Sequence, residues 1–487
     1  MVDPSPLSPP RERVSHVRTL ALPLIVACAL FMENMDATII ATSLPVIAAD
    51  LGERPTALKL ALTAYLVSLA VFIPISGWMA DRYGSRTVFR SAIGVFVAGS
   101  VACGFSHSLA GFVFARFLQG MGGAMMVPVG RLVLLKSVEK RDLVRMLSYL
   151  TMPALIGPIV GPPLGGFIST YFDWRWIFFI NLPIGLIGWF FAGKFVPDIF
   201  EEQRTPLDWR GFALSGVGLS ALMLGAATLG QHLLSGAVSG LCVAAGIASL
   251  VLYMGHARRM SRNGVQPVLD FRFLSVPTYF AGVVGGSLFR IGVGATPFLL
   301  PLMLQLGFGM TALQSGLLTC SSAAAAMFMK TLATRILKRF GFRTVLTVNA
   351  LIASATIAGY GAFTPVSPIA AMLAVLVVGG FFRSLQFTSL NALSYADIER
   401  RDMGPASGLA NVTQQMSLAA GVTIGASVLE AMTALSGRNV VAPGDFTVAF
   451  VVVGLISASS FWLLLRLAPN AGAEVSGRVS PERAPQT

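Results

Sequence analysis

The chain has 487 residues, 55% hydrophobic and 12% charged, with a mean hydropathy of +0.74. Soluble domains carry about 25% charged residues, so this composition excludes a soluble multi-domain enzyme and makes lipid the solvent. The net charge of +13 falls in short clusters between apolar runs. That is the pattern of inner loops in a polytopic membrane protein, and it excludes nucleic acid as a partner.

The first ten residues, MVDPSPLSPP, hold four prolines, and 1–19 reads as an unstructured tail. Fourteen apolar runs follow, each near the ~20 residues that a helical span needs. They lie at about 20–48, 57–80, 87–106, 109–135, 144–170, 174–196, 207–230, 235–256, 277–304, 311–336, 343–363, 368–393, 404–432 and 446–467. In lipid these runs must be helices, because strands would leave backbone groups unpaired. The alternating pattern of a membrane barrel is absent, so the predicted class is all-α integral membrane. The first run is too long for a signal peptide and carries Glu33 and Asp36, so it reads as a span. Trp174 and Trp176, at the start of the sixth run, read as interfacial anchors. Cys28, Cys103, Cys242 and Cys320 lie singly within apolar runs and read as buried thiols, with neither a disulfide framework nor a metal site. Residues 468–487 form a second polar, proline-punctuated tail.

Charge fixes the predicted orientation. With the amino terminus inside and every run crossing, inner loops and span ends hold 27 Lys and Arg, and the outer side holds Arg54, Lys59, Arg175 and Arg438. Arg116, Arg131, Arg290 and Arg383 fall within spans. A bias of that size predicts fourteen spans with both termini cytoplasmic.

An internal repeat organises the spans. DRYGSRTVF at 81–89 matches KRFGFRTVL at 338–346, each in a short inner loop after the second span of a set of six. The expected units are therefore a six-helix half over 20–196, an inserted hairpin over 207–256 and a second six-helix half over 277–467. Two repeats around a central site are a common plan of secondary transporters.

The segment GWMADRYGSRTVF (77–89) resembles the signature loop of the major facilitator superfamily. In it Gly77 would allow close helix packing and Asp81 would cap a helix or pair with an arginine. Gly84 would turn the chain, and Arg82 and Arg86 would stay at the inner surface; the resemblance makes this loop a conformational latch. MDATIIATSLP (35–45) resembles the first-helix motif of drug:proton antiporters, and RFLQGMGGAMMVPVGR (116–131) the fourth-helix motif with its buried arginine. GPIVGPPLGG (157–166) is similar to the fifth-helix antiporter motif, which marks exporters; its Gly157, Pro158, Gly161, Pro162 and Gly165 would let one helix bend and press on its neighbours. The fourteen spans and WRWIFFINLPIG (174–185) resemble the EmrB/QacA type, and FRIGVGATPF (289–298) its MdtD-like branch. The resemblance covers roughly 20–467 and implies the major facilitator fold, two pseudo-repeat halves plus two inserted helices, with helices 1, 4, 9 and 12 around a central cavity.

Each of those four helices carries a charge inside the membrane, and such residues are functional candidates by default. At ~1.5 Å per residue, Glu33 and Asp36 lie ~20 and ~24 Å from the inner face, and Arg116 and Arg290 both lie at ~20 Å. Glu33 and Asp36 share one helix face, an arrangement in which two carboxylates hold one proton between them, while Arg116 favours the charged form. These three are the expected proton-coupling residues. Arg290, Arg383, Asn34, Gln119, Asn391, Asn411 and Gln414 are the expected lining of a substrate cavity. Arg131 reads as a snorkelling interfacial residue.

The expected function is a proton-coupled multidrug antiporter of the bacterial inner membrane, exporting small amphipathic compounds and conferring antibiotic resistance. Two negative against three positive intramembrane charges argue away from lipophilic cations. The alternative is a dedicated exporter of an anionic metabolite or metal chelate. The chain has no GxxxxGK[ST] loop, so ATP is not the expected energy source. No cofactor, metal, enzymatic constellation or nucleic-acid partner is expected. The partners are substrate, protons and the lipid bilayer, and a monomer is compatible with the sequence.

Overall fold

A computed structural model describes residues 16–137, 143–200, 206–229, 235–399, 402–438 and 440–476. Among these residues the protein is helical throughout. Thirteen helices are long and apolar enough to cross a membrane. They are α1 (His16–Asp50), α2 (Pro55–Tyr83), α3 (Ser85–Gly104) and α4 (Leu109–Ser137), then α6 (Trp176–Phe195), α7 (Trp209–Thr228) and α8 (Gly236–Arg262). The rest are α9 (Pro277–Gly307), α10 (Ala312–Phe340), α11 (Phe342–Tyr360), α12 (Ile369–Ser394), α13 (Met403–Leu435) and α14 (Pro443–Leu465). A further 29-residue helix, α5 (Leu143–Tyr171), occupies the fifth expected span. The fourteen expected runs and the fourteen helices correspond one to one. We call the end of the bundle that carries Gly84 and Gly341 the basic end and the opposite one the distal end.

Local chemistry explains the departures from regular helix. In α2, Pro74 coincides with a tight turn at Ile73–Ile75, as expected where a ring removes a backbone donor. In α9 the helix widens to π geometry at Ala281–Gly285 and again at Met303–Gly307; such bulges often mark functional positions. The two repeat loops have one turn chemistry: Gly84 (φ 89°) ends α2 and Gly341 (φ 78°) ends α10, where a side chain would be strained. Thr311 and Gln314 form a capping box that starts α10.

The halves meet along α2–α13 and α5–α10, with α9 against α1. Within the central window of α9, 72% of residues are buried, against 17% for α8, so α9 is a central helix and α8 a peripheral one. The α7–α8 hairpin leans on α2 through Phe72–Phe212 and Trp78–Trp209 ring contacts. His256 bonds Asp208, the residue that caps α7.

Several expectations change. Helix α1 begins at His16, inside the segment read as a tail, and Ala473–Ser476 forms one turn within the other; residues 1–15 and 477–487 lie outside the described residues. Trp174 is buried against Phe112 and Phe178 rather than placed at the lipid interface, whereas Trp176 is exposed. Cys103 is buried; Cys28, Cys242 and Cys320 are only partly so.

Candidate functional site

The sequence places Asp36 on α1 and Arg116 on α4 at matching depth, and the fold joins them. Arg116 Nη1 donates to Asp36 Oδ2 at 2.6 Å, and both side chains are buried. Gln119, one turn along α4, is drawn into the same bridge: its Oε1 accepts from Arg116 Nη1 at 2.6 Å and its Nε2 donates to Asp36 Oδ1 at 2.8 Å. Asn181, at the start of α6, donates to Asp36 Oδ1 at 3.1 Å and to Ser100 Oγ of α3 at 2.9 Å. The Tyr65 ring of α2 lies 4.4 Å from the Arg116 guanidinium carbon, a cation–π contact that gains strength out of water. Five helices thus converge on one carboxylate.

Glycines permit the convergence. At Gly99 an added Cβ would strike the Gln119 backbone, and at Gly120 it would strike the Tyr65 carbonyl. Small residues at these positions let α2, α3 and α4 approach to backbone distance.

Asp36 is bonded to Arg116, Gln119 and Asn181, while the Glu33 carboxyl lies one turn away on α1, close with the Tyr65 hydroxyl to the point where a Cβ at Gly123 would stand. Glu33 Oε2, Tyr65 Oη, Arg116 Nε and Asn181 Oδ1 are all buried without a partner among the described residues. Buried polar atoms left unpaired are costly, and in a native fold each calls for an explanation.

In the other half, Arg290 on α9 is 2% exposed. Its Nη2 donates to Asn391 Oδ1 of α12 at 2.8 Å and its Nη1 to the Gly282 carbonyl, in the π-widened turn, at 3.3 Å. The Phe387 ring lies 5.4 Å away. No carboxylate reaches this guanidinium among the described residues, and its Nε has no partner. Arg290 and Asn391, expected along one cavity, are thus brought together. Arg383 instead donates to Ser322 of α10 at 2.9 Å, and Asn34 to the Leu30 carbonyl within its own helix at 2.8 Å. Asn411 and Gln414 are partly buried on α13. Gln119, expected to line the substrate path, is fully buried in the ion-pair cluster.

The antiporter-like segment presses α5 on two neighbours. An added Cβ at Gly157 would meet Met35 N at 3.0 Å; at Gly161 it would meet Thr38, and at Gly165 the Ile39 carbonyl and Thr42. The Pro162 carbonyl accepts from Thr42 and packs on Gly316 of α10. Pro158 falls on the same helix. At the latch loop, Arg86 donates its backbone N–H to Asp198 at 3.2 Å and its Nε to the Val196 carbonyl at 2.6 Å. Ser85 bonds the Pro197 carbonyl and the Ile199 amide. The loop is therefore docked on 196–200, a contact no spacing in the sequence announces. Arg82 lies over Trp78 and Tyr83, and Asp81 is engaged rather than free. Gly77, expected to admit a close neighbour, has open space where a Cβ would stand.

At the distal end the halves are bonded to each other. Lys59 of α2, fully buried, donates to Glu430 of α13 at 2.8 Å, Gln305 donates to the Thr42 carbonyl at 2.9 Å, and the Leu313 amide donates to Thr170 at 3.2 Å. Sequence reasoning missed Asn181, Ser100, Tyr65 and the Lys59–Glu430 pair. A polar residue at the head of an otherwise apolar α6 was the available signal for Asn181.

Comparison with known proteins agrees with this architecture. The Major Facilitator Superfamily model matches residues 26–422 and, again, 282–485. The chain belongs to that superfamily. It is accordingly a multi-pass membrane transporter and not an enzyme. The chain is 34% identical over 448 residues to "Probable transport protein HsrA" of Haemophilus influenzae, covering 92% of this chain and 96% of that protein. It is 36% identical over 401 residues to "Putative multidrug resistance protein MdtD" of Serratia proteamaculans, covering 82% and 83%. A crystallised D-xylose–proton symporter shares the fold, with a TM-score of 0.66 at 14% identity over 94% of this chain and 99% of that one.

Proposed function

We propose that this transporter is a proton-coupled antiporter that exports small amphipathic compounds across the bacterial inner membrane, with both termini cytoplasmic. The observation that carries the reading is the fully buried Asp36–Arg116 bridge, with Glu33 Oε2 buried one turn away and without a hydrogen-bond partner among the described residues. Removing one charge from a buried pair leaves the other uncompensated at a cost of ~3–5 kcal/mol. A proton that neutralises Asp36 therefore has leverage over α1, α2, α3, α4 and α6 together. Protons entering from the distal side would load Asp36, with Glu33 and Tyr65 along the route, and weaken its hold on Arg116. Substrate from the basic end would be exchanged against that proton. The excess of Lys and Arg at the basic end supports the orientation, and the names of the MdtD relatives support multidrug compounds as cargo. Coupling needs neither ATP nor a cofactor, and a single chain holds the whole ion-pair cluster.

Inside-out vesicles test this. With an imposed proton gradient, several unrelated compounds collapse the gradient in the wild type and none does so in Asp36→Asn. An Asp36→Asn protein that still couples removes Asp36 from the proton path.

A second reading has its own observation. The lone Arg290 guanidinium, held by an amide and a carbonyl, favours a dedicated exporter of an anionic metabolite or metal chelate. Gradient collapse by one anionic class alone selects it.

A further inference from the structure

Away from the ion pairs, α3 and α6 leave between them a groove of about 560 Å³, lined by Ile93, Val97 and Val101 on one side and Leu182, Leu186 and Trp189 on the other. It faces outward, since Leu186 and Trp189 are exposed, and its floor is open at Gly94, where an added Cβ would meet nothing within 4 Å. From Ile93 to Val101 the apolar wall runs ~12 Å along the membrane normal.

At its basic end the groove closes on a cation. Arg90, the fifth residue after Ser85, lies on α3 ~8 Å from the helix start, and side chains on a helix tilt toward its amino terminus, here the basic end. The Arg90 guanidinium stacks 3.9 Å from the Trp189 ring and rests against Gly193, where a Cβ would approach to 3.0 Å. Its Nε is buried with no hydrogen-bond partner, and no carboxylate pairs with it among the described residues. Lys194, next to Gly193 in the last turn of α6, has its Nζ 5.6 Å from the Phe195 ring. Asp198, the acidic residue nearby in sequence, is bonded to the Arg86 backbone.

We propose that this groove binds one anionic phospholipid of the basic-end leaflet, with its phosphate on Arg90 and Lys194 and an acyl chain along α3 and α6. An oriented cation above an apolar trough presents the two chemistries of such a lipid at the spacing of headgroup and tail. Basic pockets between helices on the cytoplasmic side are suited to anionic headgroups. A zwitterionic lipid would bring its own ammonium to the two cations, and free phosphate would leave the trough unfilled. Arg90 stacked on Trp189 loses little freedom when it binds, which favours a specific site over diffuse adhesion.

The test is thermal unfolding of the purified full-length protein in detergent, with phosphatidylglycerol, phosphatidylethanolamine of matched chains, or sodium phosphate added. Phosphatidylglycerol raises the Tm of the wild type in a concentration-dependent way, while phosphatidylethanolamine and phosphate do not. Arg90→Gln weakens the response about fivefold in lipid concentration, the scale expected for one basic side chain at an anionic surface. Gly94→Leu, whose Cβ meets nothing within 4 Å, puts a side chain into the open floor, abolishes the response and keeps the proposal testable if Arg90→Gln folds poorly. Native mass spectrometry shows one phosphatidylglycerol retained by the wild type, less of it on Arg90→Gln and none on Gly94→Leu. Equal stabilisation of all three proteins, or of the wild type by phosphatidylethanolamine or phosphate, overturns the site.

Discussion

The two halves carry their buried arginines in opposite states. Arg116 in the first half is neutralised by Asp36 and gripped by Gln119 and Tyr65, whereas Arg290 in the second has an amide, a carbonyl and an aromatic ring but no counter-charge among the described residues. The repeat that relates the DRYGSRTVF and KRFGFRTVL loops puts Arg290 where the first half has Glu33. One architecture therefore presents an acid at a position in one half and a base at the equivalent position in the other. Arg116 has its counter-charge within hydrogen-bond distance, whereas the buried Arg290 has none among the described residues. On the function proposed above, protonation would release Arg116 and Arg290 would be held for an anion.

The sharpest way to break this contrast is to orphan the paired side. Arg116→Leu leaves Asp36 buried without its cation and should cost ~3–5 kcal/mol, read as a drop in the unfolding midpoint. The double variant Asp36→Leu/Arg116→Leu should regain most of that loss, because replacing both members of a buried pair by apolar groups is far milder than removing one. Both variants should abolish proton-coupled transport. If the double variant is no more stable than Arg116→Leu, the pair is not an energetic unit and protonation has no hold to release.

A second contrast lies in the repeat loops. Gly84 and Gly341 both have positive φ, and Gly84 lies under Asp198 and Phe200, where a Cβ would collide. Gly341→Ala should cost ~1–2 kcal/mol of backbone strain, and Gly84→Ala the upper part of the ~1–3 kcal/mol range or beyond, because the docked segment must move as well. Hydrogen exchange at the Ile199 amide, which Ser85 Oγ accepts at 3.0 Å, should quicken in Gly84→Ala and stay unchanged in Gly341→Ala. Equal effects would make the first loop no more of a latch than the second.

Much of this was legible before any coordinates. Hydropathy located all fourteen helices, because in lipid a long apolar run has one backbone solution. Depth along ideal helices matched Asp36 to Arg116, since rise per residue is fixed. Rotation about the helix axis was the missing coordinate. It sets the Glu33 carboxyl near Gly123 and Tyr65 and puts Gln119 into the ion pair. It also gives Arg383 its partner Ser322 and Asn34 the Leu30 carbonyl of its own helix. Lys59–Glu430 was out of reach for another reason: 371 positions separate the two, and only the packing of α2 on α13 makes them neighbours.

That pair holds the two unlike halves together at the distal end, and it gives a milder test. Lys59 is fully buried and Glu430 keeps 15% exposure, so losing Lys59 is expected to cost more than the ~1 kcal/mol of a surface pair and less than the ~3–5 kcal/mol of a fully buried one. Lys59→Met should therefore shift the balance toward opening at the distal end by at least about fivefold. A cysteine at Thr42, where Gln305 of the other half is bonded, should react correspondingly faster with a membrane-impermeant maleimide. An unchanged rate would place the closing contact elsewhere along α1–α9 or α5–α10.

The smallest expected change in stability falls on the unpaired side, and there it is the most informative. Arg290→Leu gives up hydrogen bonds to Asn391 and Gly282 but also relieves a desolvated cation with an unpartnered Nε. These terms oppose each other, so the unfolding midpoint should move by no more than ~1 kcal/mol in either direction. Transport should nevertheless change in kind: responses to anionic compounds should fall well below those to neutral ones, while proton coupling through Asp36 persists. A loss of stability as large as that of Arg116→Leu would mean that Arg290 is structurally paired after all. Uniform loss for every compound would mean that it serves the cycle and not the cargo. Selective loss, with the fold intact, would leave the charge difference between the halves as the determinant of what is carried.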